Sequence, residues 1–297
     1  MTKSNLKDPR TLYHTGKFDE PQQETPALQE NMTITPDCGE TSYTGYGRLK
    51  NRRALITGGD SGIGRAVAIA YAREGADVAI QFFPGEEKDA RAVATLIEAE
   101  EQNAVLIPAD LRDDGAAERV VSLAIEKLGG LDTLVLNAAQ QIQHQSIKEL
   151  PQNQVQDTFM VNVLSMFDSV KAALPFLTPG SSIITTTSIQ GFDPSPSLLD
   201  YAASKAAITN LTIALAKLLA KDGVRVNGVA PGPIWTPLQL DHGQPQEKLA
   251  TFGKDTLMGR AGMPVELAPV YVLLASNDAS YITGQIYGVT GGASINP

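Results

Sequence analysis

The stretch Arg53-Ala-Leu-Ile-Thr57, Gly58-Gly59-Asp60-Ser61-Gly62-Ile63-Gly64, Arg65-Ala-Val-Ala-Ile-Ala-Tyr-Ala-Arg-Glu74 joins a short apolar run, a glycine turn and a helix-forming run. Gly75 stops the last of these. A glycine turn alone needs its glycines only for its own geometry. Between a strand and a helix it becomes a phosphate site. Backbone amides at the helix start face an anion, and the helix dipole favours negative charge there. Glycine also lets the backbone approach a ligand closely. The spacing is Gly-x-x-x-Gly-x-Gly, at Gly58, Gly62 and Gly64. This context predicts that the turn binds the pyrophosphate of a dinucleotide.

Outward from this turn, strand and helix patterns alternate. Strands are predicted over 76–80, 104–108, 131–136, 182–187 and 224–229, with a seventh at 287–290. Helices are predicted over 87–101, 116–128, 152–177 and 199–221, with Pro175 kinking or ending the third. Alternation of this kind implies a parallel sheet with helices on both faces. The expected fold is α/β, a Rossmann-like doubly wound sheet of about seven strands. One domain is expected over 51–297, with no repeat or second core. In such sheets a ligand lies at the carboxyl ends of the strands. Gly58, Asp110, Asn137, Ser188 and Pro231 all fall just past those ends.

Residues 1–50 read differently. Pro9, Pro21, Pro26 and Pro36 interrupt a segment poor in aliphatic residues, so neither a long helix nor a central strand is expected. It reads as an extended, partly disordered arm. Tyr43, Tyr46 and Leu49 offer apolar surface, so docking is expected after about Leu28, on the domain or on a neighbouring subunit.

The bulk composition bounds the function. The 297 residues are 42% hydrophobic and 19% charged, with a net charge of −9. This acidity argues against nucleic acid and anionic membranes as partners. No stretch approaches the ~18 consecutive apolar residues of a membrane span. The start of the chain lacks the apolar core of a secretory signal, so a cytoplasmic protein is expected. The single cysteine, Cys38, rules out an intrachain disulfide and reads as structural or incidental. His14, His144 and His242 have no metal-ligand spacing, so no metal is expected.

The stretch 188–205 carries the candidate chemistry. Ser188 closes the fifth strand, and Tyr201 and Lys205 follow, four residues apart. On a helix those two share a face one turn apart. A phenol beside an ammonium and a hydroxyl can move a proton. The pair alone is weak, because Tyr-x-x-x-Lys arises by chance in many helices.

Taken together, Thr57-Gly58-x-x-x-Gly62-Ile63-Gly64, Asn137-Ala138-Ala139, Asn162, Ser188, Tyr201-x-x-x-Lys205 and Pro231-Gly232 occur in the order found in short-chain dehydrogenase/reductases, and the chain resembles that family over about 50–295. The segments Pro36-Asp-Cys-Gly-Glu, Gly58-Gly59-Asp60-Ser61 and Ala230-Pro-Gly-Pro-Ile-Trp-Thr-Pro237 are similar to a bacterial and plant branch. That branch includes general stress proteins and glucose/ribitol dehydrogenase homologues. Two departures stand out: Leu136-Asn137-Ala138-Ala139 replaces Asn-Asn-Ala-Gly, and threonines rather than a serine precede Ser188.

The resemblance implies an NAD(P)-dependent oxidoreductase acting on an alcohol, an aldehyde or ketone, or a sugar-type carbonyl. It makes Tyr201 the general acid/base and Ser188 the group that orients the substrate oxygen. Lys205 would lower the phenol pKa from its usual ~10 and hold the nicotinamide ribose. Asn162 would hold a water linking Lys205 to solvent, or else cap a local backbone group. Cofactor contacts are implied for Gly58, Asp60, Ser61, Gly62, Ile63, Gly64, Leu111, Asn137, Ala138, Ala139, Pro231, Gly232, Ile234 and Thr236. Asp110 would bind the adenine amino group or cap the next helix. Gln81, Phe82 and Phe83, after the second strand, are neither acidic nor basic. Asp60, Glu86 and Glu87 would repel an extra phosphate, which favours NAD over NADP slightly. A lid over the substrate is expected at about 235–258, with Trp235 as packing or substrate wall. The resemblance also implies a homo-oligomer, a tetramer. Two competing readings are a non-catalytic dinucleotide-binding scaffold, against which intact Ser188, Tyr201 and Lys205 argue, and another enzyme on a similar sheet, such as a methyltransferase.

Overall fold

The computed structural model describes residues 6–295. Its strands are β1 (Arg53–Thr57), β2 (Asp77–Phe82), β3 (Ala104–Pro108), β4 (Thr133–Leu136), β5 (Ser182–Thr186), β6 (Arg225–Pro231) and β7 (Ile286–Val289). All pair in parallel, in the order β3-β2-β1-β4-β5-β6-β7. The helices are α1 (Gly62–Arg73), α2 (Glu87–Glu98), α3 (Ala116–Leu128), α4 (Gln152–Phe159), α5 (Ser165–Ala173), α6 (Leu199–Leu219), α7 (Gln246–Leu249) and α8 (Ala268–Ala275).

Strand residues alternate between two apolar layers, as a period of two demands. Ala54 and Ile56 of β1 pack with α1, α2 and α8, whereas Leu55 packs with α3, α5 and α6. Both faces are therefore buried, and the strands read as nearly continuous apolar runs. The winding direction reverses between β1 and β4, which opens a crevice at their carboxyl ends.

Some elements differ from expectation. Helix α2 stops at Glu98 rather than 101, and Glu101 adopts a left-handed φ of 60°. The helical run 152–177 is not uniform: a π-helical segment, Met160–Leu164, separates α4 from α5. Pro175 lies in the closing 3-10 turn Leu174–Phe176. Helix α8 was not anticipated. It is short and apolar on every side, so it lacks the periodicity that separates a helix from a strand. Contrary to expectation, Gln152–Phe176 is long and apolar enough to cross a membrane by length and composition. In the fold, Val163, Met166 and Val170 of this run pack in the layer with α3 and α6.

The arm docks on its own chain, and earlier than Leu28. Phe18, Ala27 and Met32 share a third apolar cluster with Trp235, Leu240 and Leu249. The Phe18 and Trp235 rings stack with centroids 3.9 Å apart, and Trp235 donates its indole N–H to the Ile34 carbonyl at 2.7 Å. At its other end the arm is fixed to the buried carboxylate of Glu74. That carboxylate accepts from Arg48, the Tyr43 hydroxyl and the backbone amides of Tyr46 and Arg48. Burial alone would raise its pKa, but these donors hold it down at about 2.

Truncating a fully buried phenylalanine costs about 3–5 kcal/mol. Phe18→Ala should therefore lower the stability of the full chain by an amount in this range in urea unfolding. An unchanged midpoint would show that the arm does not pack this way in solution.

Candidate active site

One cavity of about 740 Å³ runs along the carboxyl ends of the strands. Its volume lies within the range of small-molecule and cofactor sites. Of the cofactor and catalytic candidates, all but Gly64 and Asn162 line it.

The glycine turn has the shape of a cradle. Gly58 and Gly62 take positive φ values of 62° and 51°. A Cβ on Gly58 would lie 3.0 Å from Ala138 Cα, and one on Gly64 would fall 1.8 Å from the Gly58 carbonyl oxygen. Gly64 therefore acts by letting the turn close. The amides opening α1 face the crevice between β1 and β4, where an anion is favoured. These features fit a dinucleotide pyrophosphate.

Asn137 holds the crevice together. Its amide N–H donates to Thr57 Oγ1 at 2.9 Å, and its side-chain nitrogen donates to the carbonyls of Thr57 and Gly58 at 3.2 and 3.1 Å. Its side-chain oxygen accepts from Thr186 Oγ1 at 3.1 Å. Gln81 performs a similar task on the other side. Its carbonyl accepts from Gly58 N at 3.0 Å and its amide donates to the Ala109 carbonyl at 2.8 Å.

Ser188, Tyr201 and Lys205 converge past the end of β5. The Ser188 hydroxyl accepts from Gln190 N at 3.1 Å and shares the cavity wall with the Tyr201 phenol, whose charged form it favours. Lys205, 1% exposed, donates from Nζ to the Thr186 carbonyl at 2.9 Å, and the same nitrogen lies 5.4 Å from the Tyr201 ring centroid. Burial pushes the phenol up to about 12, against the opposing influence of the Ser188 hydroxyl, and pushes the ammonium down to about 7. Both shifts disfavour charge in a dry site.

Of the two readings of Asn162, the bond to a backbone group is present: its oxygen accepts from Gln140 N at 2.7 Å, and its nitrogen donates to the Gln140 carbonyl and Ser204 Oγ at 3.0 Å each. The π-helical segment turns it inward. Ser204 in turn donates to the Tyr201 carbonyl at 2.7 Å, so Asn162 steadies the helix that carries the tyrosine. Buried Asp200 adds a second tie between α4 and α6, accepting from Thr158 Oγ1 at 2.7 Å and Gln154 Nε2 at 3.2 Å.

Asp110 neither caps α3, whose N-cap is Gly115, nor presents an unengaged carboxylate. Arg112 grips it through Nε and a terminal nitrogen, at 2.9 and 2.6 Å. That guanidinium also lies 5.4 Å from the Phe83 ring centroid. Arg112, not anticipated, and Lys205 are the two basic side chains on the cavity wall. Trp235 does not line the cavity; it is packing. The arm residues Thr25, Pro26 and Ala27 do line it, although nothing in their sequence marks a site.

Carboxylates crowd one wall. Asp60 is 2% exposed, and its Oδ2 has no hydrogen-bond partner among the described residues. Burial raises its pKa, and Asp89 adds to the rise. Burial and then the charge of Asp60 hold Glu86 well above the usual carboxylate range, although it accepts from Phe83 N at 2.8 Å.

Residues 58–294 match the family model described as enoyl-(acyl carrier protein) reductase. The uncharacterized oxidoreductase YhxD of Bacillus subtilis is 56% identical over 98% of this chain and 99% of its own. General stress protein 39 of the same organism is 46% identical, over 91% and 94%. The NADPH-dependent aldehyde reductase 1 of Arabidopsis thaliana is 42% identical, over 93% and 97%. Among solved structures, a short chain dehydrogenase from Burkholderia cenocepacia in complex with NADP superposes with a TM-score of 0.77. It is 32% identical, over 84% of this chain and 100% of its own.

A raised native pKa makes Glu86 stabilising while protonated. That contribution is whole below its ordinary pKa and is lost as pH rises through the native value. Glu86→Gln should therefore raise the melting temperature relative to the parent more at pH 8 than at pH 5. An equal shift at both would remove Glu86 from this account.

With its fold, its motifs and these matches in agreement, the chain belongs to the short-chain dehydrogenase/reductase family of oxidoreductases.

Proposed function

We propose that the protein interconverts an alcohol and its carbonyl compound with NAD(P)(H), Tyr201 being the acid/base. The observation that carries this reading is the convergence of Ser188, Tyr201 and Lys205 in the cavity that also holds the glycine cradle. Bound nicotinamide supplies or accepts the hydride. In reduction, the Tyr201 hydroxyl donates its proton to the carbonyl oxygen, and Ser188 donates a hydrogen bond to the same oxygen. Lys205 makes the phenolate left behind less costly by its nearby charge. Because burial keeps the phenol protonated, the site favours carbonyl reduction near neutral pH. Alcohol oxidation, which starts from the phenolate, gains as pH rises.

An aldehyde is the first substrate class to test, since one relative carries that activity in its name. NAD receives no precedence over NADP. The Asp60 carboxylate would oppose a 2′-phosphate, Glu86 less so because burial holds it toward its neutral form, whereas the Arg112 cation lies on the same cavity and a similar structure holds NADP. Aldehyde, ketone, sugar and alcohol panels run with both cofactors decide the pair. Tyr201→Phe should reduce turnover at least about a hundredfold, the usual scale of acid–base catalysis. Its cofactor affinity should stay within twofold, read by NAD(P)H fluorescence. Parent-like turnover would overturn the mechanism.

We also propose a homotetramer. Leu164 and Phe167, in and next to the π-helical segment, and Ile213 and Leu218 on α6 are exposed apolar side chains on the two helices that flank the site. Symmetric pairing of copies would cover them. Light scattering at micromolar concentration should give four times the 31.6 kDa chain mass; a monomeric mass would refute this.

A further inference from the structure

The N-terminal arm touches the glycine turn and the cavity wall at once. Gln29 is 1% exposed, and its side-chain oxygen accepts from Gly62 N at 2.8 Å. The Cys38 thiol donates to the Gly62 carbonyl at 3.5 Å, and the Gln29 side-chain nitrogen donates to that sulfur, also at 3.5 Å. The N–H and the carbonyl of Gly62 are thus both held by arm residues. Gln29 is itself anchored, since its backbone N–H and that of Glu30 donate to Asp89 of α2 at 2.6 and 3.2 Å.

Just before Gln29 the arm crosses the cavity. The Pro26 ring lies on the loop after β2, where a Cβ on Gly85 would be 3.2 Å from Pro26 Cγ. The Thr25 hydroxyl donates to Asp241 in the segment 235–258. Thr25, Pro26 and Ala27 line the same cavity as Asp60, Gln81 and Phe83. The family model begins at residue 58, after the arm. These contacts are therefore an addition to the core that the model describes.

We propose that the arm is a working part of the nucleotide site. Gln29 is a positioning residue that sets the Gly62 peptide, and Thr25-Pro26-Ala27 form a strap over the nucleotide end. This rests on reading the cavity as an NAD(P) site. With the Gly62 amide engaged by Gln29, the next amide, that of Ile63 on the cavity wall, is left for an anion. Without Gln29 the Gly62 donor is buried and unpaired, and the turn shifts to find a partner. The strap ties the loop after β2 to the segment 235–258, so nucleotide binding and the seating of that segment are coupled.

The test uses the full-length chain with NADPH and NADH as probes in fluorescence titrations. Gln29→Met keeps the buried volume and removes the acceptor; Thr25→Val cuts the exposed tie to Asp241. Gln29→Met should weaken the tighter-binding cofactor about tenfold, and Thr25→Val about threefold. In steady-state kinetics the cofactor KM should rise by the same factors while kcat falls less than threefold. A purely structural role would instead lower the melting temperature and the active fraction and leave the cofactor KM unmoved. Parent-like affinity in Gln29→Met overturns the proposal while the enzyme reading stands. If that variant does not fold, parent-like affinity in Thr25→Val does the same. A parent protein that binds neither cofactor overturns both.

Discussion

The site depends on one side-chain amide, that of Asn137 on the cavity wall. It stands where the sheet reverses direction, and its donors and acceptor join the ends of β1, β4 and β5. A crevice between diverging crossovers has no backbone ladder beyond the strand ends, so something else must set its width. Asn137 does this with half-buried hydrogen bonds on the cavity wall, each worth about 0.5–1.5 kcal/mol. The substitution of alanine for glycine two residues later leaves these bonds intact. Thr57 participates through its hydroxyl, which accepts from two successive amides, those of Asn137 and Ala138. The glycine turn and the Ser188 end of β5 are held relative to each other through this residue.

A second constraint concerns charge. Tyr201 and Lys205 are both buried, and each is pushed toward its neutral form. Such a pair is poised for proton transfer only if its geometry is supplied from outside. Helix α6 is fastened by Asn162 through Ser204 and by Asp200 through Thr158 and Gln154. Polar networks of this kind are costly when half satisfied and rigid when complete. The arm makes the corresponding support on the other side, through Gln29 at the glycine turn and Phe18 beneath Trp235.

Much was legible in the chain itself. The strand–glycine–helix run over 53–74 gave the fold class, because a turn of that composition between those elements has few other structural solutions. Strand positions were accurate to one or two residues for most elements, since buried parallel strands are short apolar runs bounded by breakers. Helix α8 was missed because an all-apolar octapeptide has no period to read. The break in the helix around Asn162 was missed because a π-helical segment has no composition of its own. The arm was misjudged by about ten residues: Phe18 is one aromatic residue in a polar stretch, and only Trp235, more than two hundred residues away, explains its burial.

The sequence by itself determined the doubly wound sheet, and it marked the glycine turn as the candidate anion cradle and Ser188, Tyr201 and Lys205 as the candidate proton-moving groups. All of these follow from local spacing, which sets which groups share a helix face or a strand end. Tertiary structure alone decided what those groups touch. It engaged Asp110 with Arg112 and gave Asn162 to Gln140 and Ser204. It buried Asp60 with an unpartnered oxygen and brought Gln29 to the Gly62 amide. Each of these is a choice of partner for a polar group leaving water. That choice is made by whichever distant segment the packed core brings within hydrogen-bonding distance.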